Sequence, residues 1–165
     1  MIEKCQEQRR VELQQSDGAW CSVQSLRGEA QEGITLDRDY DPSLPLLSVD
    51  PNHIIQAMLN LGRNAIQALS DAGVQEPRLI LRTRAASNVS VGAHRQRLVA
   101  SIQFEDNGPG VLAEIRDTIF YPLVSGRSDG SGLGLGIAQD LVSRHGGLIE
   151  FDSAPGRTMR ASESR

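Results

Sequence analysis

Two short glycine-rich runs constrain this chain more than any other feature of its sequence. The first, Gly108-Pro109-Gly110, follows a segment that alternates like a β-strand, and the second, residues 130–136, reads Gly-Ser-Gly-Leu-Gly-Leu-Gly before a helical pattern. Glycine tolerates positive φ and leaves no Cβ in the way of a close neighbour. Backbone N–H groups at the start of a helix also favour phosphate. The two runs therefore predict that backbone lies close to a phosphate-containing ligand.

The composition predicts one domain with an aliphatic core, because the 165 residues are 39% hydrophobic but only 4% aromatic. A net charge of −4 predicts no general attraction to nucleic acid or to anionic lipid. We find no apolar run long enough to cross a bilayer, and the first residues lack the apolar stretch of a signal peptide. Cys5 and Cys21 have no partners at zinc-ligand spacing. We therefore expect a reduced, cytoplasmic protein that binds neither nucleic acid nor a membrane.

Hydrophobic periodicity divides the chain into three parts. Residues 1–33 are polar and are expected to be weakly helical or disordered. Residues 34–158 carry regular patterns, and residues 159–165 form a polar tail that we expect cannot fill a strand position in a core. The clearest element is a helix at about 51–70, with Asp50 as its N-cap. Its predicted buried stripe has spacings of three and four: Ile54, Met58, Leu61, Ala65 and Leu69.

The remaining elements are shorter. A helix over 133–144 is predicted to turn Ile137, Leu141 and Val142 inward. The alternating segments predict a long hairpin whose two strands are separated by a polar loop at about 86–95. The other predicted segments are strands at 34–40, 78–84, 98–105 and 148–151, a short helix at 111–118 and an irregular stretch at 119–129.

Several phosphate-binding patterns can be compared with the chain. It contains no G-x-x-x-x-G-K-[ST], which excludes a P-loop. Residues 108–113 formally fit G-x-G-x-x-[GA], but no parallel strand follows, so a dinucleotide-binding unit is a weak interpretation. Asn60 and Asn64 lie four residues apart and share one face of the predicted helix, at the edge of the core. Taken alone, Asp106 is as much a turn residue as a ligand-binding carboxylate.

Four motifs in order carry a specific resemblance: residues 59–65 (Leu-Asn-Leu-Gly-Arg-Asn-Ala), 106–110 (Asp-Asn-Gly-Pro-Gly), 119–123 (Ile-Phe-Tyr-Pro-Leu) and 130–136. Together they resemble the ATP-binding domain shared by histidine kinases, gyrase-type ATPases and Hsp90 chaperones. Residues 38–45 and 120–127 are similar to those of bacterial nitrogen-regulation sensor kinases. The resemblance covers about residues 34–158. It implies a Bergerat-type α/β (α+β) two-layer sandwich, with a mixed sheet packed on about three helices.

The resemblance also implies roles for individual residues. Asp106 would accept a hydrogen bond from the adenine amino group, and Asn64 would bind Mg²⁺. Arg127 would reach the γ-phosphate from a lid at 119–131 anchored by Phe120 and Leu123, although a solvated loop arginine is the alternative. The implied ATP-binding glycines, which could equally serve helix packing, are Gly108, Gly110, Gly130, Gly132, Gly134 and Gly136. The interleaved Leu133, Leu135 and Ile137 are predicted to be core residues.

Asn60 distinguishes branches of this family. In the gyrase and Hsp90 branches, a glutamate four residues before the metal-binding asparagine activates water. An asparagine cannot act as a general base, so its presence favours phosphoryl transfer over hydrolysis. We expect Asn60 to hydrogen-bond phosphate or a magnesium-bound water. Arg63, the neighbour of Asn64, could contact phosphate or solvent.

None of the three histidines lies in the sequence context of a phosphoacceptor. His53 and His94 are predicted to be surface residues, and His145 to lie at a helix C-terminus. The acceptor histidine and the dimerisation hairpin are therefore expected outside this chain. By resemblance, the chain binds Mg-ATP and donates phosphate to a sensor-kinase histidine. The whole protein would act on an NtrC-type response regulator under control of a PII signalling protein. The alternatives are an anti-sigma-type serine kinase and a nucleotide-binding or regulatory fragment without transferase activity.

Overall fold

The computed structural model describes residues 9–11, 26, 33–44, 47–91, 94–121, 132–152 and 160–164. These residues form two β-sheets, two α-helices and a 3-10 helix. In chain order the elements are β1 (Arg9–Val11), β2 (Thr35–Asp39), β3 (Leu47–Val49), α1 (Pro51–Asp71), β4 (Arg78–Val91), β5 (His94–Asp106), the 3-10 helix (Ala113–Thr118), α2 (Gly134–Ser143), β6 (Leu148–Glu150) and β7 (Arg160–Ser164).

The larger sheet is mixed, as predicted, and its strand order is β2-β4-β5-β7-β6. β2 pairs with β4 in parallel, and every other neighbouring pair is antiparallel. The helices and the sheet enclose an aliphatic core in which Phe104 is one of the largest fully buried side chains. The expected two-layer arrangement of a mixed sheet with helices is confirmed.

Helix α1 begins and ends as the sequence predicts. The Asp50 carboxylate accepts hydrogen bonds from the backbone N–H groups of Asn52, at 2.9 Å, and His53, at 3.5 Å. These bonds satisfy donors that have no partner within the helix. Gly73, two residues beyond the helix, has a φ of +58°, which glycine adopts at little cost. The predicted apolar stripe is buried along its whole length.

The face of the sheet away from the helices carries ion pairs between strands. Arg82 of β4 binds Asp39 of β2 and Glu105 of β5, each at 2.8 Å. Arg78 binds Asp37 at 2.7 Å across the same two strands. On β4 and β5 these side chains alternate with buried residues, so they lie on the face away from the core. The polar face therefore holds three strands together while the opposite face packs against the helices.

The hairpin of β4 and β5 extends further than predicted. Residues 86–95 were expected to form a polar loop, but β4 continues to Val91 and β5 begins at His94. Val89 lies opposite Gln96 in the register of this extension. Backbone N–H and C=O groups pair across a hairpin whatever the polarity of the side chains. Polarity alone was therefore a poor indicator of a loop.

Both ends of the chain also depart from expectation. Arg9–Val11 pairs with Leu47–Val49 as an antiparallel strand, so weak helix or disorder is wrong for these residues. Leu26 is 1% exposed and belongs to the core. Residues 160–164, expected as a polar tail, form β7 between β5 and β6. Here too, backbone pairing places a polar segment in the sheet.

Helix α2 presents a different face from the one predicted. Its buried side chains are Ala138, Leu141 and Val142, whereas Ile137 is 41% exposed. At about 100° per residue, Ile137 lies roughly 90° from the centre of that buried face. Leu133 is also exposed, at 42%, and only Leu135 of the three interleaved residues packs against the core. The inward orientation of Ile137 and the core assignment of Leu133 and Ile137 are therefore wrong.

Candidate functional site

Helix α1 lies alongside the carboxyl-terminal half of β5. A Cβ added to Gly62 would lie 3.4 Å from Cε1 of Phe104, and one added to Gly108 would lie 3.6 Å from Cδ2 of Leu69. The helix therefore advances from Gly62 to Leu69 as the strand advances from Phe104 to Gly108. Asn64 on the helix and Asp106 on the strand both fall inside this interval. The structure thus places both candidate residues on the same side of the sheet.

Asp106 occupies the last position of β5. It lies two residues after Phe104 and so on the same face of the strand, toward the helices, where it is only 4% exposed. Its Oδ1 atom accepts a hydrogen bond of 2.9 Å from the Gly108 N–H. A Cβ at position 108 would lie 2.7 Å from that oxygen, which explains the glycine. Gly110 has a φ of +77°, again a conformation that suits glycine.

Asn107 supports the strand end next to Asp106, a role that the sequence did not predict. Its Oδ1 accepts from the Arg78 N–H at 2.8 Å, and its Nδ2 donates to the Glu76 carbonyl at 3.2 Å. Asn107 therefore fastens the end of β5 to the start of β4 and fixes the chain direction after Asp106. The Asp-Asn-Gly sequence signalled a turn, but it did not reveal these long-range partners.

Asn60 and Asn64 share one face of α1, as predicted, and both are partly buried. The Nδ2 atoms of both side chains are shielded from solvent. Within the described part of the chain, Asn60 Nδ2 has no hydrogen-bond acceptor. A buried amide donor without an acceptor is costly and is typical of a position that a ligand completes. Arg63, between them in sequence, is exposed.

The start of α2 lies against Asn64. A Cβ on Gly134 would be 3.8 Å from Asn64 Nδ2, and a Cβ on Gly136 would be 3.3 Å from the Phe120 carbonyl oxygen. Gly132 precedes the helix with a φ of +64°. No side chain of the described residues caps this helix. The first backbone N–H groups of α2 are therefore available to an anion next to Asn64.

Phe120 lies two residues after the end of the 3-10 helix. It packs against the core and makes an edge contact with Phe151, with ring centroids 5.9 Å apart. This agrees with its expected part as an anchor. Arg127, Gly130 and Leu123 lie outside the described residues, so their parts in the site remain predictions.

The structure brings together two histidines that the sequence left apart. His53 Nδ1 lies 3.3 Å from His145 Nε2, and both residues are partly buried. The surface assignment of His53 is therefore wrong. The two histidines are 92 positions apart in sequence, so no local pattern could predict this contact.

Two features are absent from the described residues, a cluster of metal ligands and a membrane-spanning helix. No group of three histidine, cysteine, aspartate or glutamate residues there is arranged to hold a metal ion. No helix in this part of the chain is long and apolar enough to cross a membrane.

Sequence relatives match most of the chain. It is 52% identical over 130 residues to the sensory histidine kinase/phosphatase NtrB of Escherichia coli O157:H7, covering 79% of this chain and 36% of the relative. It is 40% identical over 126 residues to NtrB of Rhodobacter capsulatus, covering 73% and 34%. The chain thus spans little more than a third of the length of these relatives.

Solved structures show the same fold. The mycobacterial sensor histidine kinase MprB matches with a TM-score of 0.68 and 22% identity, over 88% of this chain and 92% of that one. Full-length ShkA in complex with AMPPNP matches with a TM-score of 0.72 and 21% identity, over 95% and 31%. The sequence model for histidine kinase-, DNA gyrase B- and HSP90-like ATPases matches residues 49–162. This chain is therefore a member of that ATPase family.

Proposed function

We propose that this chain binds Mg-ATP and donates the γ-phosphoryl group to a histidine of a two-component sensor kinase in nitrogen regulation. The observation that carries the proposal is that Asn64, Asp106 and the start of α2 lie on one side of the sheet, with Asn64 beside the start of α2. The named relatives are sensory histidine kinases, and one structural neighbour was solved with an ATP analogue. Both support a kinase of this type.

The adenine end of the ligand would lie at Asp106. An ionised carboxylate only accepts hydrogen bonds and offers about four lone-pair positions. The bond from the Gly108 N–H orients the carboxylate and still leaves acceptor capacity for an exocyclic amino group. The glycine at position 108 also keeps the strand end open. These features fit an adenine amino group better than a phosphate, which a buried carboxylate would repel.

The phosphate end would lie between α1 and α2. The amide oxygen of Asn64 would ligate Mg²⁺, which prefers oxygen ligands and shares substrate phosphates. When bound, the ion would neutralise part of the triphosphate charge. Asn60 Nδ2, buried and without an acceptor in the described chain, would donate to a phosphate oxygen or to a metal-bound water. The N–H groups at the start of α2 would bind the adjacent phosphate.

Asn60 would also favour phosphoryl transfer over ATP hydrolysis. Its amide has no useful basicity, so a water at this position would not be activated. The variant Asn60→Glu supplies a carboxylate there, and we expect it to raise the rate of ATP hydrolysis. Asn60→Gln is the matched control, because it lengthens the side chain without adding a base. Equal hydrolysis by both variants would contradict the role proposed for this position.

A transfer assay tests the proposal as a whole. The chain is mixed with a separately made acceptor-helix domain and γ-labelled ATP, with and without Mg²⁺. We expect magnesium-dependent label on histidine, which acid removes, and less label when Arg127 is changed to alanine. Acid-stable phosphoserine would indicate a serine kinase. ATP binding without any label would indicate a regulatory fragment.

The partners are part of the proposal. The acceptor-histidine dimerisation domain would be supplied in cis or in trans, since the matched relatives are almost three times as long as the matched segment. The whole kinase would phosphorylate an NtrC-type response regulator and would be controlled by a PII signalling protein, in the cytoplasm. The similarity to NtrB supports these assignments.

A further inference from the structure

His53 and His145 join two helices that also meet at the candidate site. His53 lies in the first turn of α1, and His145 follows the end of α2. Their ring centroids are 5.5 Å apart, with an angle of 55° between the ring planes. The contact between Nδ1 of His53 and Nε2 of His145 measures 3.3 Å. One of these nitrogens must carry a proton and the other a lone pair for this to be a hydrogen bond.

Burial decides which nitrogen is the donor. His145 Nδ1 is shielded and has no partner among the described residues. A proton on that atom would be a buried donor without an acceptor, which is costly. The neutral tautomer that avoids this carries its proton on Nε2. We infer from this network that His145 Nε2–H donates to His53 Nδ1.

Either protonation disfavours this arrangement. A charged His145 would keep donating from Nε2, but it would have to bury an N–H at Nδ1 without an acceptor among the described residues. A charged His53 would lose the lone pair that accepts the bond. Asp50 offers a charged His53 another partner, because its Oδ2 lies 3.9 Å from His53 Nδ1. The structure thus offers His53 Nδ1 two neighbours, His145 when the ring is neutral and Asp50 when it is charged.

The surroundings add few competing charges. Arg144, next to His145 in sequence, binds Asp140 at 2.8 Å. β6, which packs against α2, contributes only the exposed Glu150. On β5, Asp106 faces the other end of α1, near Leu69. On β4, the arginines lie on the far face of the sheet, in the ion pairs with β2.

Asp50 is consequently the charged group that bears most directly on the pair. The pKa of His145 is lowered by burial first and then by His53, and Asp50 partly opposes the shift. This direction agrees with a neutral His145 in the fold.

We propose that the His53–His145 contact is a proton-sensitive fastening between α1 and α2, most stable when both rings are neutral and weakened when either is charged. The unfolded chain binds a proton at His145 more readily than the folded chain does, with an ordinary pKa near 6.5. The contribution of neutral His145 to the free energy of unfolding is therefore fully present above about pH 6.5 and is lost as the pH falls below that value.

An NMR titration of the imidazole signals tests the contact directly. We expect His53→Gln to move the His145 midpoint upward, because a neighbour that disfavours its charge is removed. His94→Gln is the matched control, because it removes a histidine at the start of β5, away from the His53–His145 pair. An unchanged His145 midpoint in His53→Gln, in a protein with an otherwise native spectrum, would overturn the proposal.

Thermal unfolding gives a second readout. Between about pH 7.5 and pH 5.5, we expect the Tm of the wild-type chain to fall by about 2–4 °C more than that of His145→Gln. Parallel curves for the two proteins would contradict the fastening. Both scans contain EDTA, so that a metal ion bound by the two rings does not contribute to the difference.

A consequence for nucleotide rests on the proposed function. Because the other end of α2 carries Gly134 next to Asn64, opening the fastening should loosen the ATP site. We expect ATP affinity to fall about three-fold more in wild type than in His145→Gln over the same pH range. An equal fall in both would overturn this coupling. Absence of ATP binding at every pH would overturn the proposed function alone, since the NMR and Tm measurements still decide the contact.

Discussion

Asp106 is a carboxylate held almost out of solvent at the end of a strand, and at the scale of single residues it gives the sharpest prediction. Asp106→Asn keeps the size of the side chain but replaces one acceptor with an NH₂ donor. That donor would face the adenine amino group, so we expect ATP affinity to fall by at least about 100-fold, or about 2.7 kcal/mol. Calorimetry with Mg-ATP measures this. Asp117→Asn, an exposed position, should bind like wild type.

Gly134 and Gly136 allow packing and ligand binding to be separated. A methyl group at 134 would meet Asn64 Nδ2 at an ordinary 3.8 Å, whereas one at 136 would press on the Phe120 carbonyl at 3.3 Å. We therefore expect Gly134→Ala to keep or slightly raise the Tm and to weaken ATP binding. Gly136→Ala should lower the Tm. If Gly134→Ala binds ATP as wild type does, the space beside Asn64 is not the phosphate site.

At the scale of elements, β7 carries more of the sheet than its polar sequence suggests. Ala161 lies opposite Ile102 on one side and Ile149 on the other. Proline at this position removes a backbone donor from the sheet and leaves a carbonyl unpaired, at a cost of about 2–3 kcal/mol. We expect Ala161→Pro to lower the Tm by about 5–10 °C. Ser164 pairs with Val99 at the end of the strand, so we expect Ser164→Pro to lower the Tm much less.

The elements also show what periodicity can and cannot predict. Helix α1 could be read from its N-cap and its apolar spacing because both signals are local. The extension of the β4–β5 hairpin and the place of β7 depend on backbone pairing between distant segments, which side-chain polarity does not reveal. The exposed Ile137 shows the same limit, because the buried face of a helix is decided by what packs against it.

At the scale of the whole molecule, ligand binding should stabilise the fold by mass action. Asn64 and Asp106 lie on different elements, so a nucleotide that touches both exists only on the folded chain. At 100 times its dissociation constant, such a ligand adds about 2.7 kcal/mol to the free energy of unfolding. We expect Mg-ATP to raise the Tm by about 5–10 °C. Asp106→Asn should show no increase at the same concentration, and an increase equal to that of wild type would contradict the assigned site.

The site as a whole could be predicted further than its details. The spacing of Asn60 and Asn64, the strand-end Asp106 and the glycine runs predicted a nucleotide site, which stays a prediction. The structure does bring Asn64, Asp106 and Gly134 to one side of the sheet. The anchoring by Asn107 and the contact between His53 and His145 could not be predicted. Each joins residues far apart in sequence, and no local pattern marks such a pair.

The position of β7 has a consequence for how the protein is made. In the described sheet, β6 reaches β5 only through β7, although β7 is synthesised after it. A nascent chain that has emerged only as far as β6 therefore has no partner strand for that segment. Domains generally fold as units during translation, the N-terminal ones first. In the described sheet, β6 can join β5 only after residues 160–164 have left the ribosome, so the order of synthesis delays its pairing.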